Sequence, residues 1–293
     1  MTVKRLPLIL FLFVLLAGGC SDKDTPSAVN DAVLVPLGLS VSVEGNVSTR
    51  SATTLTDGNI GIYLLAENGY LPGAFLYSGV SGNWTAATPV MLSGDEASVC
   101  AWYPYDYRIP ADPAELQTFP LNAQKYTPAS DLCYQTVTGG LNNRNSRLPV
   151  QLQHAYAQIE FRLSRDITFK TAGNVDDITL SAPGLLTGMT LDISSGTTAN
   201  PVEGNVTYTA GVVVPESGEV LTALLLPPAT LTGDLTITFR VDGQDMNAVL
   251  PYASLPQLES GNKYTLRGVL QRELDITVTV EPADGNAGGE IEW

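Results

Sequence analysis

Val33-Leu34-Val35-Pro36-Leu37-Gly38-Leu39-Ser40-Val41-Ser42-Val43 is the stretch that decides how this chain is read. Val33, Val35, Leu37, Leu39, Val41 and Val43 fall on alternate positions, and a period of two places all six on one face of an extended strand. Near the other end, Leu274-Asp275-Ile276-Thr277-Val278-Thr279-Val280 alternates as sharply, with Leu274, Ile276, Val278 and Val280 on one side. Strands therefore bracket the chain.

The residues between them keep the same habit. Ile60-Gly61-Ile62-Tyr63-Leu64-Leu65 reads as a core strand and Glu67-Asn68-Gly69-Tyr70 as a hairpin turn. Ala97 to Tyr105 reads as a strand closed by Pro104 and Pro110, and Gln151 to Leu163 as one long strand with Ile159, Phe161 and Leu163 on one face. In the second half, Ile178–Leu180, Thr190–Ile193, Val206–Thr209, Val212–Val214, Leu221–Leu226, Leu235–Val241 and Lys263–Val269 are strand candidates. Glycines, Pro215, Pro227-Pro228 and the turn Asp242-Gly243 punctuate them. No run after residue 20 supports a helix of three turns. The expectation is an all-β chain of two β-sandwich domains in tandem, transthyretin-like with Greek-key connections, spanning 33–165 and 166–293.

The first residues belong to export rather than fold. Lys4 and Arg5 precede nine apolar residues, Leu8 to Leu16, too few to span a bilayer and typical of a secretory signal. Ala17-Gly18-Gly19-Cys20 then resembles a bacterial lipobox, which implies a signal peptide over 1–20 and a diacylglyceryl group on Cys20. A plain signal peptide with an incidental cysteine is the alternative. Residues 21–32 read as a polar tether, and membrane attachment would run through the lipid alone.

Composition excludes several partners. Of 293 residues, 15 are basic and 30 acidic, a formal charge of −15 that disfavours nucleic acid, whose capture needs clustered Lys and Arg. Cys100 and Cys133 remain after Cys20, either as a single disulfide or as two buried thiols. Sequence cannot show that their β-carbons face each other, which favours the thiols.

Chemistry-bearing patterns are scarce. His154 is the single histidine, beside Leu152 and Ala155, and reads as a packed structural residue rather than a base or ligand. No metal site of known spacing, no Gly-x-Ser-x-Gly elbow and no phosphate loop is present, so neither an enzyme nor a cofactor is expected. Asp176-Asp177 could suggest calcium but reads more plainly as solvated turn acids. Trp102, Tyr103, Tyr105 and Tyr107 could stack on sugar, yet read more plainly as core and rim of a sandwich.

A family resemblance runs through most of the mature chain. Beyond the lipobox and the strand ending in Thr49-Arg50, it rests on Gly61-Ile62-Tyr63 and Cys100-Ala101-Trp102-Tyr103-Pro104-Tyr105. Tyr126-Thr127, Asp131-Leu132-Cys133-Tyr134, Leu152-Gln153-His154-Ala155 and Gln158-Ile159-Glu160-Phe161 follow. Leu224-Leu225-Leu226-Pro227-Pro228, Gly261-Asn262-Lys263-Tyr264-Thr265 and Trp293 complete the order. In that order the chain resembles fimbrillin-like proteins, subunits of type V pili in Gram-negative anaerobes. That family usually has a plain aromatic or aliphatic residue where Cys100 and Cys133 stand.

The resemblance implies a polymerising subunit, exported as an outer-membrane lipoprotein and cut after an N-terminal arginine, here between Arg50 and Ser51. The cut would release the strand carrying Val33 to Val43, and a neighbour's strand carrying Leu274, Ile276, Val278 and Val280 (within 274–293) would fill the groove. Its partners would be other fimbrial subunits, self or paralogous, with host or bacterial surface ligands beyond them. The residues themselves allow this exchange: both terminal stretches share one alternation, and each buried aliphatic side chain is worth roughly 1.5–3 kcal/mol. The plainer reading keeps each terminal strand in its own sheet and Arg50 as a solvated loop residue. The competing function is a monomeric surface lipoprotein that binds glycans or host proteins.

Overall fold

The computed structural model describes residues 33–44, 53–107, 118–271 and, as backbone, the strand 276–281. Secondary structure among these residues is strand, apart from 3-10 turns at Tyr105–Tyr107 and Tyr252–Ser254. The all-β expectation holds.

The first part of the chain supplies β1 (Val35–Pro36), β2 (Gly38–Val43), β3 (Thr53–Thr54) and β4 (Gly58–Leu64). After these come β5 (Gly73–Val80), β6 (Asn83–Thr85), β7 (Met91–Leu92) and β8 (Ala97–Tyr103). Short strands β9 (Thr118–Asn122) and β10 (Gln124–Lys125) lead to β11 (Cys133–Leu141), β12 (Arg147–His154) and β13 (Ala157–Arg165). Eight of them form one sheet in the order β3-β2-β12-β11-β8-β4-β5-β6. All its neighbours are antiparallel except β2 and β12, which run parallel. Alternate side chains of β4, β8 and β12 (Ile60, Ile62, Val99, Ala101, Val150 and Leu152) point into one core with Leu37, Val41 and Tyr77.

The second part supplies β14 (Asn174–Ser181), β15 (Leu186–Asp192), β16 (Thr197–Glu203), β17 (Val206–Val213) and β18 (Val220–Leu226). Then follow β19 (Ala229–Thr230), β20 (Leu235–Val241), β21 (Gln244–Leu250), β22 (Gln257–Leu258), β23 (Lys263–Leu270) and β24 (Ile276–Glu281). A five-stranded sheet, β10-β18-β13-β23-β24, and a four-stranded sheet, β17-β14-β20-β21, enclose the second core. Phe161, Ile178, Leu224, Ile237, Phe239 and Leu266 are its buried centre. Phe239 stands edge-on to Phe161 at 5.7 Å between centroids.

Two sequence readings change here. Gln151 to Leu163 is not one strand: it bends at Ala155-Tyr156, so β12 stays in the first sheet while β13 pairs only with β18 and β23. The expected division after 165 is therefore displaced, since β13 packs into the second core and β10 joins β18. The apolar phase shifts by one residue across the bend, but Ala155-Tyr156-Ala157 fills the gap with apolar residues, which is why the sequence reads straight through it. Strand β9 also crosses over, pairing with β15.

A third apolar cluster lies between the two sandwiches. Tyr63, Cys100 and Trp102 from the first sheet meet Phe119 and Leu121 of β9, Leu191 of β15 and Leu225 of β18, with Tyr156 at the bend. Trp102 is fully buried, stacked on Tyr105 at 5.7 Å and tilted against Phe119 at 5.7 Å. The hydroxyl of Tyr156 meets that of Tyr107 and accepts from the Asn122 amide at 3.1 Å and from Gln124 Nε2 at 3.1 Å. Trp102, Tyr105 and Tyr107 thus face the joint between the sandwiches rather than an open sugar platform.

Candidate strand-exchange site

Strand β2 is built from the residues that opened the reading, but not as a single ribbon. Val33 and Leu34 are exposed and outside any strand; β1 pairs antiparallel with β7; and β2 begins only at Gly38. Pro36 has no N–H to give, and the chain changes partner at Leu37, whose N–H donates to the Val90 carbonyl at 2.8 Å. Gly38 N–H then donates to the Ser146 carbonyl at 2.8 Å and sets the new register. Of the six alternating side chains, Leu37 and Val41 are buried, Leu39 and Val43 pack half-buried against the core, Val35 is half-buried, and Val33 is exposed. The single apolar face expected over the whole stretch is thus shorter at its start.

From Gly38 the pairing with β12 is continuous, Gly38 opposite Arg147 through Val43 opposite Leu152. Glu44 N–H extends it, donating to the Leu152 carbonyl at 2.7 Å. On its other side, among the described residues, β2 has the two-residue β3, with Ser42 opposite Thr54 and Val43 opposite Thr53, and the Leu55 N–H donating to the Val41 carbonyl at 3.0 Å. A groove of about 360 Å³ runs beside β2, lined by Leu39, Ser40, Asn83, Trp84, Ser146 and Arg147 among others. Tyr77 fixes the inner end, its hydroxyl donating to the Leu37 carbonyl at 3.3 Å and accepting from Val90 N–H at 3.0 Å. Removing β1 and β2 would leave the β12 edge unpaired beside an apolar slot, an unstable arrangement.

The other candidate strand lies at a sheet edge. β24 pairs antiparallel with β23, Ile276 opposite Leu270 and Glu281 opposite Thr265, at the end of the five-stranded sheet. Ile276, Val278 and Val280 are on β24. Cys20, Arg50, Ser51 and Leu274 lie outside the described residues.

The pairing of Cys100 with Cys133 that sequence left open does not form. Both thiols are free and buried, and they point to opposite faces of the first sheet, Cys100 into the cluster between the sandwiches and Cys133 into the first core. Burial pushes the Cys100 thiol up to about 12, with the charge of Asp192 adding to it. Cys133 is raised further, by burial and by Asp131.

Sequence reasoning missed where His154 goes. The β11–β12 register sets Cys133 directly opposite His154, and Asp131 stands two residues before β11 begins. His154 Nδ1 lies 3.0 Å from Asp131 Oδ2 and 3.3 Å from Cys133 Sγ. Burial works to lower the imidazole pKa, but the hydrogen bond and charge of Asp131 outweigh it and leave it raised. Among the described residues this is the one convergence of three such side chains; Asp176 and Asp177 take no part in one. The signal was Asp131-x-Cys133 and a lone histidine, legible only once the hairpin register is known.

One family matches over most of the chain. The profile of the Fimbrillin-like family covers residues 49–284. This chain belongs to the fimbrillin-like family. No curated protein matches it. Among solved structures, this fimbrillin-like chain is similar to a proposed cell adhesion protein from Bacteroides uniformis, at 20% identity and TM-score 0.59 over 84% of this chain and 98% of that one. A proposed cell adhesion protein from Bacteroides ovatus aligns at 13% identity and TM-score 0.58, over 89% of this chain and 98% of that one. A third, from Bacteroides fragilis, gives 11% identity and TM-score 0.54, over 85% and 97%. At such identities the fimbrillin-like chain shares their fold, and the likeness carries no more than that.

Proposed function

We propose that this chain is a structural and adhesive subunit of a cell-surface fimbria, without enzymatic activity, assembled by strand exchange. It is exported as an outer-membrane lipoprotein on Cys20 and cut between Arg50 and Ser51. The first strand then leaves, and the C-terminal strand of a neighbouring subunit enters its place. Membership of the fimbrillin-like family supports the fimbrial role. The observation that carries the exchange is β2 itself: it pairs parallel with β12 and, among the described residues, is covered outside only by two-residue β3 and the Leu55 N–H that donates to the Val41 carbonyl at 3.0 Å. Its removal would free six residues of β12 edge, Arg147 to Leu152, in register for a replacement.

Intact-mass measurement on material shed from the cell surface tests this. A mature chain beginning at Ser51, in oligomers that survive mild denaturant, is expected. A chain that still begins at acylated Cys20 would overturn it and leave a resident surface lipoprotein that binds glycans or host proteins. One observation favours that second reading: β24 already pairs within its own chain.

A further inference from the structure

We propose that Asp131, Cys133 and His154 form a zinc site that staples the first sheet where the chain crosses to the second. The ligand atoms Asp131 Oδ2, Cys133 Sγ and His154 Nδ1 lie within 4.8 Å of one another. Nδ1 faces two of them at once, 3.0 Å from the carboxylate and 3.3 Å from the sulfur. A ring nitrogen has one hydrogen or one lone pair there, so hydrogen bonding satisfies a single partner at a time. The thiol's other contact is a long one, 3.9 Å to the Asp131 main-chain carbonyl, and one cation would engage all three side chains. Tetrahedral zinc, with Zn–N, Zn–O and Zn–S bonds of about 2.0–2.3 Å, holds its ligand atoms about 3.3–3.6 Å apart, within a few tenths of the two spacings around Nδ1, and the carboxylate and sulfur lie within 4.8 Å of each other.

The ligand set selects the metal class. A thiolate with an imidazole and a carboxylate suits a borderline cation such as zinc and not calcium or magnesium, which take oxygen. Binding releases the Cys133 proton to solvent, leaving the thiolate on the metal. The scaffold is rigid: Cys133 and His154 are register partners, and Ala155 N–H donates to the Leu132 carbonyl at 2.8 Å between them. Cys133 is 3% exposed, whereas the side chains of Asp131 and His154 are 14% and 26% exposed, so the site opens to solvent on one side, where a water completes the shell. The next two residues, Ala155-Tyr156, are the bend between the sheets. A metal there would tie the entry of β11 to the exit of β12.

Cobalt(II) titration of the full chain under a non-chelating reductant tests the site. One equivalent is expected, with a thiolate-to-cobalt charge-transfer band, tetrahedral d–d absorption, and displacement by zinc. Cys133→Ser removes the band, and His154→Ala and Asp131→Asn weaken binding at least about tenfold, the low end of the loss from disturbing even an outer partner of a metal ligand. Cys100→Ser and Cys20→Ser leave both unchanged. A wild-type chain with no thiolate band overturns the proposal, as does a band that survives Cys133→Ser or vanishes with Cys100→Ser or Cys20→Ser. Should Cys133→Ser fail to fold by circular dichroism, the wild-type titration and the more exposed Asp131→Asn decide.

Discussion

Gly61 lies directly opposite Trp102 in the antiparallel pair of β4 and β8, and a β-carbon at position 61 would stand 2.2 Å from the indole ring. The ring therefore lies flat on bare backbone, and its other surface carries the third core. Gly61→Ala forces the indole or the sheet to move, at about 1–3 kcal/mol for overpacking. Gly38→Ala, whose β-carbon would meet nothing nearer than 3.8 Å, should change stability by no more than about 1 kcal/mol. Urea denaturation of both variants checks the contrast; equal midpoints would refute it.

Tyr156 holds the joint through one hydroxyl. Tyr156→Phe leaves Asn122 N–H without its acceptor, leaves Gln124 Nε2 only the Ser130 carbonyl, and leaves Tyr107 only the Pro120 carbonyl. The expected loss is about 1–3 kcal/mol, read as a lowered thermal midpoint. Tyr107→Phe should cost a similar amount, since it removes the bond to the Pro120 carbonyl at 3.0 Å and leaves the Tyr156 O–H without its acceptor.

Glu160, on the outer face of β13, is gripped by Lys263 and Arg162, the latter at 2.8 Å. Burial works to raise its pKa, but hydrogen bonds and charge from Lys263 and Arg162 win and leave it below the ordinary value of 4.5. A carboxyl lowered on folding contributes stability that is complete above its ordinary pKa and is lost as pH falls through the folded value. Glu160→Gln should therefore be less stable than wild type near neutrality, by about 2 kcal/mol, with the gap closing below about pH 4. Denaturant midpoints measured across that range decide; a constant gap would argue against it.

Cys100 should resist thiol reagents in the native chain, because burial keeps it protonated far above neutrality. At about pH 8 peptide mapping after alkylation should find it unmodified, and fully labelled once denaturant is added. Prompt native labelling would mean that the third core opens.

Strand exchange makes its own prediction. Arg50→Ala should retain the N-terminal segment on the shed chain and abolish ladders resistant to mild denaturant. Deletion of 274–293 should allow cutting and still abolish them. Ladders that persist after the deletion would remove the C-terminal strand from assembly.

Much of the fold was legible because alternation is a local signal. β14, β20 and β23 carry buried residues on one face against half-exposed ones, β4 and β8 are apolar runs buried on both faces, and turns such as Asp242-Gly243, both with positive φ, mark where strands end. What escaped depended on partners. β16 is exposed along its whole length and has no apolar face to read. The bend at Ala155-Tyr156 is invisible because Ala155, Tyr156 and Ala157 are all buried, continuing the apolar run while the sheet changes. Leu37 shows the same limit, since alternation runs through it although its neighbours pair with different strands. The Asp131–Cys133–His154 convergence needed the hairpin register, which separates residues 21 apart in sequence by a single rung.

The crossing of β9, β10 and β13 into the later sheets has a consequence for how such chains are inherited and made. Cutting the gene after β13 would hand the first piece three strands that only the second can use, so recombination between relatives should preserve the chain entire or exchange loops alone. On the ribosome, β13 emerges long before β23, its parallel neighbour, and must wait for nearly the whole polypeptide before its sheet can close.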